Sequence, residues 1–405
     1  MDNNFLFIKY LFFIIFLFPF LMHIYWGIFD ILYANNIMYI SFFLLIGIFI
    51  FNIYKNNITN DLPNTLKYIF IFYIAIQMIN SVILLDIKDS LKYLSYILIF
   101  YFLFTKYMHK EYYIIFINIV TIFVIINLLF YVIALFDNYY INFNVNNLNL
   151  LTDNNSFVLR QDWNYTLPFY LSVIPSNSFA INQMGLFGLP RLFGMATEPT
   201  LYNVIILPTM FMSLYYKRYF SFLVLVIAFL LSSSFGAMAI LLIATVFILF
   251  YRYKFFIFII MFISFILMYY LNIFTYLSII SPRLAFYAHL FINLVNVKNI
   301  PFFATNLENI KIPSALLVQT LKYGIFVGIS FLSLFILLVK SSIEANNKIL
   351  FAFTITFILI VNKSGEILSP IFLFYISFLY TEINNINRKN NQKILVSTRN
   401  SSNKL

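Results

Sequence analysis

Long apolar runs recur from one end of the chain to the other, and short polar connectors separate them. Runs of about 20 apolar residues are long enough to cross the ~30 Å hydrocarbon core of a bilayer as a helix. The pattern therefore predicts an all-α polytopic membrane protein with about twelve transmembrane helices. The predicted spans lie near residues 8–28, 31–53, 65–85, 91–107, 112–136, 199–216, 219–234, 236–251, 255–273, 315–339, 349–362 and 367–381.

Two pairs of spans leave this count open. The pairs 219–251 and 349–381 have short members, separated by only a few polar residues at Leu231–Gly236 and Asn362–Glu366. Each pair also fits a re-entrant element, which enters and leaves the membrane on the same side. The expected number of transmembrane helices is accordingly ten to twelve.

The positive charges of the connectors predict the orientation of the chain. The first apolar run has no small-residue cleavage pattern, which predicts a retained first span. With the N-terminus in the cytoplasm, sixteen Lys and Arg residues fall inside and nine outside, as the positive-inside rule requires. The chain is then one integral-membrane domain, residues 1–381, followed by a cytoplasmic polar tail, residues 382–405, that we expect to be disordered.

Two connectors are much longer than the others, and both are predicted outside the cytoplasm. They cover about residues 137–198 and 272–313. Loops of this length in a compact protein are typically binding or lid segments. The first begins with an irregular Asn-rich stretch, residues 137–155, and residues 156–174 fit either a short hairpin or a segment along the membrane surface. We therefore expect function in these two loops.

Composition excludes several classes of chemistry. The chain has no cysteine, so disulfides, thiol nucleophiles, Cys-ligated zinc and iron–sulfur clusters are excluded. Aromatic residues make up 21% of the chain, so most rings face lipid or the helix bundle and an aromatic residue is not by itself a site. The net charge of +11 is spread over short connectors, which indicates membrane topology and no nucleic-acid partner.

Charge is concentrated at the end of the first long loop. Only 10% of the residues are charged, yet Arg191 and Glu198 bracket a short segment just before an apolar run. Three of the nine glycines fall within residues 185–194, which gives this backbone unusual freedom. Pro199 suits the first turn of the next helix, and the helix dipole favours an ionised Glu198 at its mouth.

The second long loop carries another charged segment. Pro282 is suited to start a helix there. Arg283 and Tyr287 would share one face of that helix, with His289 to one side.

Several of these segments resemble the O-antigen polymerase (Wzy-type) family of the O-antigen polymerase and ligase superfamily. Residues Arg191-Leu-Phe-Gly194-Met-Ala-Thr-Glu198-Pro199 resemble its Arg-x-x-Gly-x-x-x-Glu-Pro signature. The turn Ser232–Gly236 resembles the short serine-glycine turn of the family, and Arg283–Tyr287 resembles the start of its second large loop. The run Leu321–Gly328 is similar to the entry of the following span.

The resemblance covers about residues 150–340, and upstream it includes Arg160 to Tyr170, which resembles the first large loop of the family. The second loop departs from the family pattern, because it lacks the Gly-x-Gly that often follows its helix. No residue beyond His289 matches the loop histidine of the ligases, which favours a polymerase over a ligase.

The resemblance implies a GT-C-like glycosyltransferase architecture and a polymerase of O-antigen or another surface polysaccharide. Such an enzyme transfers a glycan from undecaprenyl pyrophosphate to the terminal sugar hydroxyl of a second lipid-linked repeat unit. The reaction takes place at the outer face of the bacterial inner membrane. The implied partners are the lipid-linked oligosaccharide, the bilayer and a chain-length regulator protein.

The candidate site residues fit this chemistry. Arg191 and Arg283 are predicted to hold the pyrophosphate leaving group, with Arg160 as an accessory contact. Glu198 is the first candidate for the general base, ahead of Asp162 and Glu308. The other candidate substrate contacts are Gly194, Tyr287 and His289. Because the chain has no Asp-x-Asp pair, we expect a metal-independent enzyme without a cofactor.

Each candidate also has a purely structural interpretation. Arg191 fits an anchor in the lipid headgroups, Glu198 a helix cap, Arg283 a charge on a surface helix, and His289 a packed or solvated loop residue. Two other functions also stay open: a ligase of the same superfamily, and a flippase that moves the lipid-linked oligosaccharide without chemistry. The outer-loop charges and the lack of an internal repeat favour an enzyme over a transporter.

Overall fold

The apolar runs fold into helices that pack side by side. The computed structural model describes residues 3–22, 43–44, 47, 63–84, 87–101, 110–137, 142–143, 165–166, 174–175, 192, 194, 199–232, 234–257, 259–260, 263, 301–304, 315–364 and 369–402.

The helices follow the predicted spans closely along this part of the chain. In chain order they are α1 (Asn3–Phe12), α2 (Phe18–Met22), α3 (Asn64–Leu84), α4 (Ile87–Ile99), α5 (Lys110–Asp137), α6 (Pro199–Tyr215), α7 (Tyr219–Ser232), α8 (Phe235–Leu249), α9 (Ala315–Tyr323), α10 (Ile325–Glu344), α11 (Lys348–Ser364) and α12 (Pro370–Ser402). A π-helical segment, Phe13–Leu17, joins α1 to α2, and a 3₁₀ turn, Tyr251–Tyr253, follows α8.

Helix α6 lies at the centre of the bundle. Its side chains from Leu201 to Ser213 are all buried, and it packs against α5, α7, α8 and α11. Its buried hydroxyls are satisfied within the helix, because Thr209 and Ser213 each donate to the carbonyl four residues earlier. The first long loop enters the bundle at Pro199, the first residue of α6. The end of that loop is therefore attached to the most buried helix.

Among the described residues, three helices are by length and composition able to cross a membrane: Asn64–Leu84, Lys110–Leu129 and Ile325–Glu344. Helix α8 and the following Tyr251–Ile257 segment meet at an angle of 92°, so they form one bent pair. Helices α6 and α7 are apolar but shorter. These apolar helices support the prediction of a helical membrane protein. The count of twelve spans and the GT-C-like architecture stay predictions.

The predicted span 315–339 is divided into two helices. Gly324 separates α9 from α10 with a φ of +95°, and a side chain there would collide with the backbone carbonyl of Phe302. The Ile325 N–H donates to the carbonyl of Pro301 at 2.9 Å. A segment of the second long loop, Pro301–Phe303, thus lies against the break between α9 and α10.

The expected tail, residues 382–405, begins within helix α12, which continues through Ser402. Just beyond the expected boundary, Glu382 is buried and accepts hydrogen bonds from the Tyr215 hydroxyl at 2.9 Å and the Tyr216 hydroxyl at 2.8 Å. These contacts hold the start of the tail against the end of α6, which polar composition alone does not reveal.

Three two-residue strands lie in the first long loop: β1 (Asn142–Phe143), β2 (Tyr165–Thr166) and β3 (Ile174–Pro175). They form one antiparallel sheet in the order β1-β2-β3. The β2–β3 pairing favours the hairpin over the membrane-surface segment for this part of the loop. Strand β1 lies in the Asn-rich stretch that we expected to be irregular.

Candidate functional site

The end of the first long loop docks on the serine-glycine turn between α7 and α8. The Leu192 N–H donates to the carbonyl of Leu231 at 3.0 Å, and the Leu192 side chain is completely buried. Leu231 directly precedes the turn Ser232–Gly236. Two segments that resemble the polymerase family therefore lie against each other in the fold.

Gly194 fixes the same loop end against α6. Its φ of +59° lies in the left-handed region, which a glycine adopts without strain. A side chain at this position would overlap the ring of Tyr202, which is buried in the second turn of α6. Both the backbone angle and the close approach require glycine here.

The serine-glycine turn is held by the central helix. Asn203 of α6 donates its side-chain amide to the Ser232 hydroxyl oxygen at 2.8 Å. The Ser232 hydroxyl in turn donates to the carbonyl of Phe229 at 2.7 Å. Ser234 occupies the N-cap position of α8, but its side chain makes no capping hydrogen bond to that helix. Two hydrogen bonds thus fix the Ser232 side chain, whereas the Ser234 hydroxyl does not cap α8.

Lys363, at the end of α11, reaches the same turn. Its ammonium donates to the Ser234 hydroxyl oxygen at 3.5 Å. It also lies against Gly236, where a side chain would collide with the Lys363 Nζ and Cε atoms. Lys363 is one of the nine Lys and Arg residues predicted outside. The sequence does not reveal its contact with Ser234, because the two residues lie far apart in the chain.

The neighbour of Lys363 connects this turn to the second long loop. The side-chain oxygen of Asn362 accepts a hydrogen bond from the Leu316 N–H at 2.9 Å. Leu316 lies in the first turn of α9, just after the predicted second loop. Three hydrogen bonds, joined by short stretches of chain, therefore link the end of the first long loop to the start of α9: Leu192 to Leu231, Lys363 to Ser234, and Leu316 to Asn362.

Asn80 forms a second anchor for the end of the second loop. Its amide nitrogen donates to the Tyr323 carbonyl at 2.8 Å, and its amide oxygen accepts from the Ala304 N–H at 3.0 Å. Asn80 lies near the end of α3 and is only 1% exposed. It thus joins α3, the end of α9 and the loop segment Pro301–Ala304.

A pair of buried polar side chains lies below Gly194. The hydroxyl of Tyr202 lies beside the Asn127 amide of α5, and both side chains are completely buried. Neither the hydroxyl nor the two amide atoms meet the geometry of a hydrogen bond within the structure. No other buried side chain in the part of the chain described leaves two polar atoms in this state.

Of the predicted site residues, Gly194 lies in the part that the structure describes. Arg160, Arg191, Glu198, Arg283, Tyr287 and His289 lie outside the described residues, as do Asp162 and Glu308, so their roles stay predictions. Within the described ranges, no three His, Cys, Asp or Glu side chains are grouped in a way that could hold a metal ion. Sequence reasoning missed Lys363, Tyr202 and Asn127, although Asn127 is a polar residue inside an apolar run and could have drawn attention.

Comparison with known proteins gives no relative: no family model, no curated protein and no solved structure matches this chain. The resemblance to the polymerase family therefore rests on the motif segments themselves.

Proposed function

We propose that this protein polymerises lipid-linked oligosaccharide repeat units. It transfers the glycan from undecaprenyl pyrophosphate to the terminal sugar hydroxyl of another repeat unit. The reaction belongs at the outer face of a bacterial inner membrane, the side on which both long loops are predicted. The product is an O-antigen or another surface polysaccharide.

The observation that supports this proposal is the set of contacts between the two loop ends. A transferase with two lipid-linked substrates needs cations for the leaving group and a base for the acceptor, held in one place. Leu192 directly follows Arg191 in the chain. The Leu192 N–H donates to the Leu231 carbonyl, and this hydrogen bond fixes Leu192 beside the serine-glycine turn. Leu316 follows the loop that contains Arg283. Its N–H donates to the side-chain oxygen of Asn362, the neighbour of Lys363.

The proposed chemistry assigns each loop a part. The bond between the anomeric carbon and the pyrophosphate oxygen breaks, and the acceptor hydroxyl oxygen forms the new bond to that carbon. The Glu198 carboxylate takes the acceptor proton, as a general base near the reacting hydroxyl would. Arg191 and Arg283 hold the pyrophosphate oxygens and offset the negative charge that develops on them. Undecaprenyl pyrophosphate leaves with the electron pair of the broken bond.

Reconstitution tests the proposal directly. The full-length protein is purified, placed in proteoliposomes with lipid-linked repeat units from the native host, and the products are separated by size. We expect a ladder of glycans that differ by one repeat unit, with release of undecaprenyl pyrophosphate. Unchanged single repeat units, with an intact and folded protein, would contradict a polymerase.

A deletion strain separates the polymerase from the two other functions. Loss of a polymerase leaves single lipid-linked repeat units on the outer leaflet. Loss of a flippase leaves them on the inner leaflet, whereas loss of a ligase leaves long chains that are still attached to the lipid carrier. Access of a membrane-impermeant enzyme or label to the accumulated glycan identifies the leaflet.

A further inference from the structure

We propose that Asn127 is a positioning residue of the glycan transfer, a role that rests on the proposed function. It acts through Tyr202, whose ring supports Gly194 at the end of the first long loop. Asn127 lies in α5, outside the region at residues 150–340 that resembles the polymerase family. The resemblance therefore does not point to this residue, and the packing of α5 against α6 below Gly194 carries the inference.

Asn127 is an amide in an apolar stretch of α5. The residues on either side of it, Ile125–Ile126 and Leu128–Leu129, are hydrophobic, and its own side chain is completely buried. Burying an amide costs free energy unless it is hydrogen-bonded, so a leucine would pack here at lower cost. The Tyr202 hydroxyl lies beside the amide, across the interface between α5 and α6. Packing alone does not explain the amide, whereas a role toward Tyr202 does.

The same end of the Tyr202 ring faces Asn127 and touches Gly194. A Cβ atom at Gly194 would overlap the Cε2 and Cζ atoms of the ring, and Cζ carries the hydroxyl. The oxygen beside the amide is thus bonded directly to a carbon that lies against the loop. A displacement of the hydroxyl therefore moves the surface on which Gly194 rests, with no flexible link between them.

The polar pair favours one position of the ring. Both side chains are completely buried, and neither meets the geometry of a hydrogen bond to a described residue. Movement of the ring towards α5 brings the Tyr202 hydroxyl into bonding geometry with the Asn127 amide. Movement away leaves both groups without water and without a bond, which is unfavourable. The pair thus draws the ring, and Gly194 with it, towards α5.

The position of Gly194 matters for the proposed reaction. Gly194 lies in the middle of the segment that begins with Arg191, a predicted pyrophosphate contact, and ends with Glu198, the predicted base. A misplacement of reacting groups by about 1 Å can lower a rate by about 100-fold. Asn127 therefore affects the rate of transfer without contacting the substrate.

Hydrogen–deuterium exchange of the full-length protein in detergent tests this role without requiring polymerisation. N127L removes the amide with little change of shape, and Y202F keeps the ring but removes the hydroxyl. The Leu192 N–H, which donates to the Leu231 carbonyl, should exchange about tenfold faster in both variants than in the wild type. The double variant should exchange no faster than either single variant, because both changes remove the same pair.

T121V is the matched control. Thr121 is a buried polar residue of the same helix, and its hydroxyl donates to the carbonyl of Ile117 within α5. Exchange at Leu192 in T121V should equal that of the wild type.

Polymerisation in proteoliposomes gives the second readout. The kcat of N127L should fall about tenfold, while its KM for the lipid-linked repeat unit stays near the wild-type value. This split is expected because Arg191 acts on charge that develops in the transition state. T121V should match the wild type in both constants. A purely structural role of Asn127 would lower the unfolding midpoint and leave the kcat of the folded molecules unchanged.

The outcomes separate the role of Asn127 from the proposed function. Unchanged exchange at Leu192 in N127L and Y202F overturns the positioning role, and so does equally fast exchange in T121V. If the wild type polymerises and N127L does so at the same rate, the role of Asn127 is wrong while the proposed function stands. If the wild type does not polymerise, the proposed function fails and the positioning role fails with it, even where the exchange rates change.

Discussion

Two buried polar clusters in this molecule differ in how completely their groups are paired. In the Glu382 cluster, the carboxylate accepts hydrogen bonds from Tyr215, Tyr216 and, at 3.4 Å, the Asn385 amide. In the Tyr202 pair, the hydroxyl of Tyr202 and both amide atoms of Asn127 are buried without a hydrogen bond. The first cluster joins α6 to α12 at one end of α6, and the second lies below Gly194 near its other end.

The difference predicts different roles for the two clusters. Buried polar groups are nearly always paired in folded proteins, because an unpaired group loses its hydration without compensation. The Glu382 cluster follows this rule, so its function is to hold two helices together. The Tyr202 pair departs from it directly beneath the loop end that carries the predicted motif. Stability should therefore depend on the first cluster, and activity on the region of the second.

The largest expected effect is on activity, at the two predicted clamp arginines. Arg191→Ala and Arg283→Ala should each abolish long-chain polysaccharide, a loss of about 100-fold or more, because the developing charge on the pyrophosphate is no longer offset. Gel analysis of the polysaccharide measures this loss, and immunoblotting of membranes should show normal protein abundance. Normal chain lengths in both variants would show that the predicted clamp is wrong.

The next largest effect is on stability at the Glu382 cluster. Glu382→Ala removes the acceptor of two half-buried tyrosine hydroxyls, and each lost hydrogen bond costs about 1 kcal/mol. The thermal unfolding midpoint of the protein in detergent should fall, while activity per folded molecule should stay close to that of the wild type. Glu344→Ala is the control, because its side chain is 63% exposed and pairs with the exposed Lys340 in the preceding turn. An unchanged unfolding midpoint in Glu382→Ala would show that the cluster does not stabilise the fold.

Gly194→Ala tests whether the loop end must be fixed on Tyr202. The left-handed backbone costs a non-glycine residue about 1–2 kcal/mol, and the added methyl group overlaps the Tyr202 ring. We expect the loop end to leave its position, with a clear loss of polymerisation and a small change in the unfolding midpoint. Full activity in this variant would show that the contact is dispensable.

Asn127→Leu and Asn80→Leu compare an unpaired with a paired asparagine. Leucine has a similar shape, so Asn127→Leu should leave stability unchanged or raise it by about 1 kcal/mol, because no hydrogen bond is lost. Asn80→Leu should destabilise the protein, since the Tyr323 carbonyl and the Ala304 N–H lose their partner. Thermal unfolding measures both. Equal destabilisation by the two changes would mean that Asn127 is paired in the membrane.

The smallest effect is expected at the ion pair between Lys9 and Glu111. Their side chains are 12% and 37% exposed, so water screens the pair in part, and such pairs contribute about 1 kcal/mol or less. Lys9→Met should lower the unfolding midpoint only slightly. A fall as large as that of Glu382→Ala would show that the Lys9–Glu111 ion pair stabilises the protein as strongly as the Glu382 cluster does.

Hydrophobic pattern predicted much of the fold where helices are long and uninterrupted. The predicted spans 65–85 and 112–136 correspond to α3 (Asn64–Leu84) and α5 (Lys110–Asp137). A run of this length forms a helix because the membrane leaves the backbone no other way to satisfy its polar groups. The signal is local, so the sequence alone is sufficient to detect it.

Features that depend on long-range contacts could not be predicted. Gly324 interrupts a continuous apolar run because the carbonyl of Phe302 occupies the space beside it. Lys363 reaches Ser234 from a helix more than a hundred residues later. The polar tail is helical where Glu382 meets two tyrosines at the end of α6. Gly194 was a candidate site residue in the sequence, but its contact with the Tyr202 ring could not be predicted. In each case the partner lies far away in the chain, and no local pattern encodes it.

The length of α12 has a consequence for the shape of the protein outside the lipid. A helix over Pro370–Ser402 measures about 50 Å at 1.5 Å per residue, whereas the hydrocarbon core is about 30 Å thick. A helix of this length that crosses the hydrocarbon core once extends about 20 Å beyond it. Arg388, Lys389, Lys393 and Arg399 lie in the C-terminal part of the α12 sequence. Any such extension is continuous with Glu382, whose hydrogen bonds hold α12 against the end of α6.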